Sequence, residues 1–298
     1  MNDPTLSPNP GLSALRARYD VILSDIWGVV HDGKAASAPA CDALTRFRAQ
    51  GGTVALITNA PRTSAPIRAQ MRHLGVPDSA FDALVTSGDV TLELMMKRGG
   101  APLYHIGPDR DLSLFAELAL LQGGAPPRLV PLAQADYVVA TGLFNDRAET
   151  AENYDATFAA MRLKNMDMIC ANPDLVVHIG EQLIYCAGAL AERHSAQGGA
   201  SIYAGKPHAP IYERAMELAE RTRGAPVSKT RVLAIGDAMR TDIAGAAAQG
   251  YDAMFVTSGI HRDGLHPGGG AFDAAAYAAL TRGLTHPPRY VAQALGWD

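Results

Sequence analysis

Four short β-branched runs each lead into residues that can do chemistry: Asp25 after "VILS", Thr58 and Asn59 after "VALI", Lys206 after "SIYAG", and Asp237 after "VLAIG". In open α/β sheets, ligands bind beyond the carboxyl ends of the strands, so residues at those ends are weighed first. One of them alone would be an ordinary turn former, since Asp and Asn routinely end strands. Here the types complement one another: a carboxylate, a hydroxyl, a lysine reached through "GKP", and the carboxylate pair Asp237 and Asp242 in "GDAMRTDIAGA". Carboxylate oxygens suit a hard cation such as Mg²⁺, and ammonium and hydroxyl donors suit phosphate oxygens. Phosphoryl transfer is the reaction class that this combination implies.

Such residues need a frame. The runs "YDVILSD", "GTVALITN", "ASIYAGK" and "TRVLAIGD" are each followed by a helical pattern, an alternation that predicts an α/β fold with a doubly wound parallel sheet. After "TNAPRTS", Ile67, Met71 and Leu74 fall at helical spacing before Gly75. In "KPHAPIYERAMELAERT", Ile211, Ala215 and Leu218 share one face. The middle third has a different texture, with "APLYHIG", "ADYVVATG" and "MDMICANPD" ahead of "LVVHIGEQLIYCAG". The last of these reads as a hairpin turning at Gly180 and Glu181. Residues 88–187 are therefore read as an inserted α/β domain, and 1–87 with 188–298 as one discontinuous core. The stretch "HPGGGAFDAAAYAA" reads as a loop entering a helix.

A chain of 298 residues favours two domains. Its formal charge of −4 is spread over interspersed acids and bases, which disfavours a nucleic-acid or membrane-surface partner and favours a small molecule. Cys41, Cys170 and Cys186 lack metal-ligand or redox spacing and read as reduced core residues. The first 20 residues hold no apolar core of signal-peptide length and no apolar run approaches ~18 residues, so a soluble cytoplasmic protein is expected. None of the nine histidines has helical ligand spacing, and His261 and His266 in "HRDGLH" read as loop residues. Lys164 reads as an exposed helix residue. The C-terminal "THPPRYVAQALGWD" carries an apolar set ending at Trp297 that either docks on the core or supports a homodimer.

The segments "DIWGVVHDG", "ITNAPR", "GKPHAPIY" and "GDAMRTDI" resemble, in order and spacing, the four motifs of the haloacid dehalogenase-like (HAD) superfamily. They look most like its class IIA branch, the NagD-like and nitrophenylphosphatase-like phosphatases, which carry a C2-type cap between the second and third motifs. The resemblance implies a Mg²⁺-dependent phosphatase of a small phosphorylated metabolite, sugar phosphates included. It implies Asp25 as a nucleophile that forms an aspartyl-phosphate. Thr58 would hydrogen-bond the phosphoryl oxygens, and Lys206 would offset charge on nucleophile and transferring group. The metal would be held by Asp25, the backbone carbonyl of Trp27 and Asp237, with Asp242 in support. Asn59 would position the loop or the substrate, and Arg62 either contacts a substrate anion or is a solvated helix-entry residue. Arg240 would orient the metal loop. Specificity would lie in the inserted domain, where Asn145, Asp146, Asn172 and Asp174 are polar candidates that also read as turn or cap residues.

Trp27 departs from that pattern. The resembled phosphatases carry Asp two residues after the nucleophile, where it protonates the leaving oxygen and then activates water. The only polar group of Trp is an indole N–H that does not titrate. Loss of general acid–base help typically slows a reaction ~10²–10⁴-fold. Three readings stay open: His31 or Asp32 substitutes; the leaving group needs no proton, as with an acyl phosphate, an aryl phosphate or a phosphonate; or the chain binds a phosphorylated ligand as a regulator. A dehalogenase proper is disfavoured, because "GDAMRTD" keeps the metal carboxylates.

Overall fold

A computed structural model describes residues 10–124, 126–179 and 182–298. Its strands are β1 (Val21–Asp25), β2 (Thr53–Thr58), β3 (Ala83–Thr86), β4 (Leu103–Ile106), β5 (Tyr137–Ala140), β6 (Met168–Cys170), β7 (Val176–Ile179), β8 (Gln182–Tyr185), β9 (Ser201–Tyr203), β10 (Val232–Gly236), β11 (Asp252–Val256) and β12 (Tyr290–Ala292). The chain divides into two compact units. One takes the chain up to Thr58 together with Ile67–Val85 and Tyr212–Asp298; the other takes Asn59–Pro66 and Thr86–Ile211.

The first unit is built on a six-stranded sheet in the order β12-β11-β10-β1-β2-β3. Its central strands β10, β1 and β2 run parallel. All residues of β1 and β10 are buried, as expected for strands covered on both faces, and that is why they read as unbroken apolar runs in place of an alternation. The helix Ala38–Ala49 is opened by Ser37, whose hydroxyl accepts from the Ala40 amide, and it buries Ala40, Cys41, Leu44 and Phe47. The helix Ser64–His73 buries Ile67 and Met71, the face that the spacing predicts. Gly75 follows at φ +93°.

The second unit holds a four-stranded parallel sheet, β4-β5-β6-β9, and the antiparallel pair β7–β8. Alternate residues of β5 enter different clusters. Val138 and Ala140 pack with Phe158, Met161 and Leu190, whereas Tyr137 and Val139 pack with Leu103, Phe115 and Leu118. Period-two alternation between two apolar layers buries this sheet on both faces. The run "ASIYAGK" supplies β9, which pairs with β6, so the strand ahead of Lys206 lies in this sheet and not in the six-stranded one. Ile179 pairs with Gln182 as a hairpin requires, while the Gly180–Glu181 turn itself lies outside the described residues.

The three cysteines are free and buried, as read from their spacing. No described helix is long and apolar enough to cross a membrane. Asp273 caps the helix Ala274–Leu280 by accepting from the Ala275 and Ala276 amides, which places the helix start inside the Gly- and Ala-rich stretch. Phe47 is fully buried in the first unit. Phe47→Ala is expected to destabilise the fold by about 3–5 kcal/mol, read as a lower denaturation midpoint at unchanged slope.

Candidate active site

Parallel pairing brings Ser24 opposite Ile235, so β1 and β10 end side by side, one on Asp25 and the other just before Asp237. The next turn, Met239–Ile243, is a wide helical turn that returns Asp242 toward the strand end. The Asp242 carboxylate accepts from the backbone amides of Asp237 at 3.2 Å and Ala238 at 3.0 Å, which fixes both the turn and its own orientation. The Ile260 amide, in the loop after β11, donates to Asp237 Oδ2 at 2.7 Å. Asp25, Asp237 and Asp242 are 8, 4 and 4% exposed, and they bring one oxygen each to within 4.8 Å of one another.

Gly28 makes that approach feasible. It sits at φ +81°, and a Cβ there would fall 2.0 Å from Asp237 Oδ2. The loop after Asp25 therefore lies directly against the second carboxylate. At an effective dielectric of about 20, two like charges at such a separation repel by roughly 3 kcal/mol, so three of them call for a counter-charge. An all-oxygen, nearly dry donor set fits a hard divalent cation.

The remaining predicted residues fall into both units. Thr58 closes β2, one residue past Ile57, which pairs with Asp25. In the second unit, the Asn59 side chain clamps the Lys206 backbone. Its Oδ1 accepts from the Lys206 amide at 2.7 Å, and its Nδ2 donates to the Lys206 carbonyl at 3.0 Å and to Asp174 Oδ1 at 2.9 Å. Asn59 thus holds the backbone at Lys206, and Asp174 braces it. Lys206 is 3% exposed. The Arg62 charge acts on Asp111, a buried carboxyl pushed upward by desolvation and pulled back by Thr141 and Arg110 as well.

The other polar candidates have local work. Asn172 accepts from the Asp174 amide, Asn145 accepts from the Arg147 amide, and Asp146 pairs with Arg110. Lys164 and Arg240 are exposed. His266 is not the simple loop residue that its sequence suggests: it is buried, with Nε2 at 2.7 Å from the Thr257 hydroxyl. Among residues that sequence reasoning missed, the Ile260 amide left no signal, because a backbone donor has no residue type. Gly28 was legible only as part of a motif, since its need for space depends on Asp237, 209 positions away.

The loop after Asp25 also decides what could replace an acid. His31 is buried and its Nδ1 accepts from the Gly33 amide at 3.1 Å, which leaves the neutral ring protonated on Nε2. Burial holds its pKa below the ordinary histidine value. Asp32 Oδ1 accepts from the Lys34 amide at 2.8 Å and the Ala35 amide at 2.9 Å, an Asx turn. Those backbone donors, Ala35 first, hold the Asp32 carboxyl below the usual range. His31 Nδ1 and Asp32 Oδ1 are thus both engaged as acceptors within the loop.

Family profiles match two stretches: a haloacid dehalogenase-like hydrolase profile over residues 22–120 and a HAD-hydrolase-like profile over residues 203–296. The crystal structure of a haloacid dehalogenase-like family hydrolase from Brucella suis 1330 is 42% identical, spans 97% of this chain and 99% of its own, and superposes with a TM-score of 0.80. This chain belongs to the haloacid dehalogenase-like hydrolase family. The family resemblance read from the four motifs is thereby confirmed, as are the hydrolase class and the parallel α/β fold.

More distant structures share the fold. A possible sugar phosphatase of the HAD superfamily from Cytophaga hutchinsonii is 19% identical over 96% of this chain and 97% of its own, with a TM-score of 0.74. A p-nitrophenyl phosphatase from Archaeoglobus fulgidus is 18% identical over 93% and 96%, with a TM-score of 0.69. No curated protein matches the sequence. For this HAD-like hydrolase, Asp242→Ala is expected to lower divalent-cation affinity about 10- to 100-fold, measured by calorimetric titration of the metal alone.

Proposed function

We propose that this HAD-like hydrolase is a Mg²⁺-dependent phosphatase of a small phosphorylated metabolite, working through an aspartyl-phosphate. The observation that carries the reading is the buried convergence of Asp25, Asp237 and Asp242 at adjacent strand ends. Three carboxylates with no other donor type suit Mg²⁺ held at phosphate oxygens. The phosphatase names of the Cytophaga and Archaeoglobus structures agree with it.

In this reading Asp25 Oδ forms a bond to phosphorus as the bond to the leaving group breaks. Asp237 and Asp242 hold the cation together with Asp25 and the carbonyl of Trp27. When bound, Mg²⁺ supplies positive charge to the phosphoryl oxygens. Thr58 orients one of those oxygens, and Lys206 offsets negative charge on the nucleophile and the transferring group. Water then attacks the phosphoryl group, which restores the Asp25 carboxylate and releases phosphate. Residues 88–187, read as the inserted domain, serve as the cap that sets specificity.

Trp27 supplies no proton to the leaving oxygen, and His31 Nδ1 and Asp32 Oδ1 are taken up by the loop's own amides. The reading therefore favours a leaving group that departs as a stable anion. The same observation favours a second reading, in which the chain binds a phosphorylated ligand and turns it over weakly.

Asp25→Asn is expected to abolish Mg²⁺-dependent phosphate release across a panel of phosphorylated metabolites, measured as inorganic phosphate. Tight Mg²⁺-dependent binding without release from any panel member would select the regulatory reading. Trp27→Asp is expected to raise turnover of alkyl phosphates relative to aryl or acyl phosphates, by up to ~10²-fold. An unchanged ratio in parallel kinetic assays would count against the leaving-group argument.

A further inference from the structure

Trp27 is 51% exposed, although it lies in the loop between one buried carboxylate and a glycine packed on another. A single exposed aromatic is ordinary unless something holds it in place. Here three contacts do. Gly33, at φ +85°, lies against the benzo end of the indole, and a Cβ on it would fall 2.4 Å from Trp27 Cη2 and 2.7 Å from Cζ2. The His31 imidazole meets the indole edge-on, with centroids 5.4 Å apart and planes at 77°. The Gly28 amide donates to the His31 carbonyl at 2.8 Å, closing the loop around the ring. Residue 33 favours glycine through its φ, and a Cβ there would also have to displace the indole.

This seat lies in the loop that leads from Asp25 to Gly28 and Gly33. Gly28 adjoins Trp27 and packs on Asp237, so the aromatic surface and the carboxylate cluster are set by a single short loop. We propose that Trp27 is the residue that recognises the leaving group, its exposed indole surface contacting a planar aromatic group on the phosphorylated substrate. The proposal rests on the phosphatase reading above and adds the substrate class.

The chemistry agrees with the missing acid. A phenol has a pKa near ~10, against ~15.7 for water, so an aryloxide leaves without a donated proton far more readily than an alkoxide. Asp25 Oδ bonds to phosphorus while the P–O bond to the ring breaks. The aryloxide departs with the electron pair and takes its proton from solvent. One water then releases phosphate and regenerates Asp25. The side chain that cannot act as an acid thus selects a leaving group that needs none.

The test compares phenylphosphonate with methylphosphonate, both lacking a scissile ester oxygen, as calorimetric ligands in the presence of Mg²⁺. Trp27 and Trp297 are the two tryptophans, so in a Trp297→Phe background ligand-induced quenching reports on Trp27 alone. Phenylphosphonate is expected to bind about 3- to 10-fold tighter and to quench the indole. Trp27→Ala is expected to erase the preference, Trp27→Phe to keep part of it, and Gly33→Ala to weaken it by displacing the ring. Circular dichroism checks that each variant is folded. Equal affinity for the two ligands, or a preference that survives Trp27→Ala, would overturn the proposal. Phosphate release from phenyl and alkyl phosphates, assayed in parallel, separates the two levels. A Trp27-dependent phenyl preference with no release from any substrate would retain the recognition and sink the phosphatase reading. Release without that preference would do the reverse.

Discussion

Three carboxylates that converge in a nearly dry pocket repel one another, and much of the first unit is arranged to hold them there nonetheless. The parallel register of β1 and β10 sets Asp25 beside Asp237. The wide turn after β10 returns Asp242, and three backbone amides, from Asp237, Ala238 and Ile260, donate to the two downstream carboxylates. These amides orient the two carboxylates, but they do not remove the mutual repulsion. A cation would do that, which is why the strand order, the turn and the glycine at residue 28 are best understood as parts of one electrostatic arrangement.

The loop after Asp25 shows how a catalytic frame can be kept while its chemistry is narrowed. A backbone carbonyl can be supplied by any residue, so in the proposed reading a tryptophan at residue 27 would leave a bound cation's surroundings intact. What it removes is a titrating group, and the adjacent His31 and Asp32 are committed to the loop's own hydrogen bonds. In the proposed reading, such a loop suits reactions in which the departing atom carries its own stability.

Much of this was legible in the sequence because strand-end chemistry is local. The apolar runs before Asp25, Thr58 and Asp237 are strands, and the four motifs identify the family. Partnership was harder to read. Nothing in "ASIYAGK" says which sheet β9 joins, because a β-branched run encodes a strand and not its neighbour. Asn59 read as an ambiguous polar residue until its amide was found holding the backbone of a residue 147 positions away. His266 looked like loop punctuation, and only its burial against Thr257 reveals a core hydrogen bond. Gly33 gives no signal by its spacing, since the indole that a Cβ there would meet lies six residues back in the same loop.

Asp242 is a single side chain with two duties. Its carboxylate both closes the turn after β10 and joins the charged cluster. Asparagine would keep an acceptor for the two amides and lose the charge. Glutamate would keep the charge, but its longer arm would have to fold back to reach amides four and five residues away. Serine or threonine could cap a turn and contribute no anion. The usable alphabet at this position is thus narrower than either duty alone would make it, and the turn and the charge site are free to change only together.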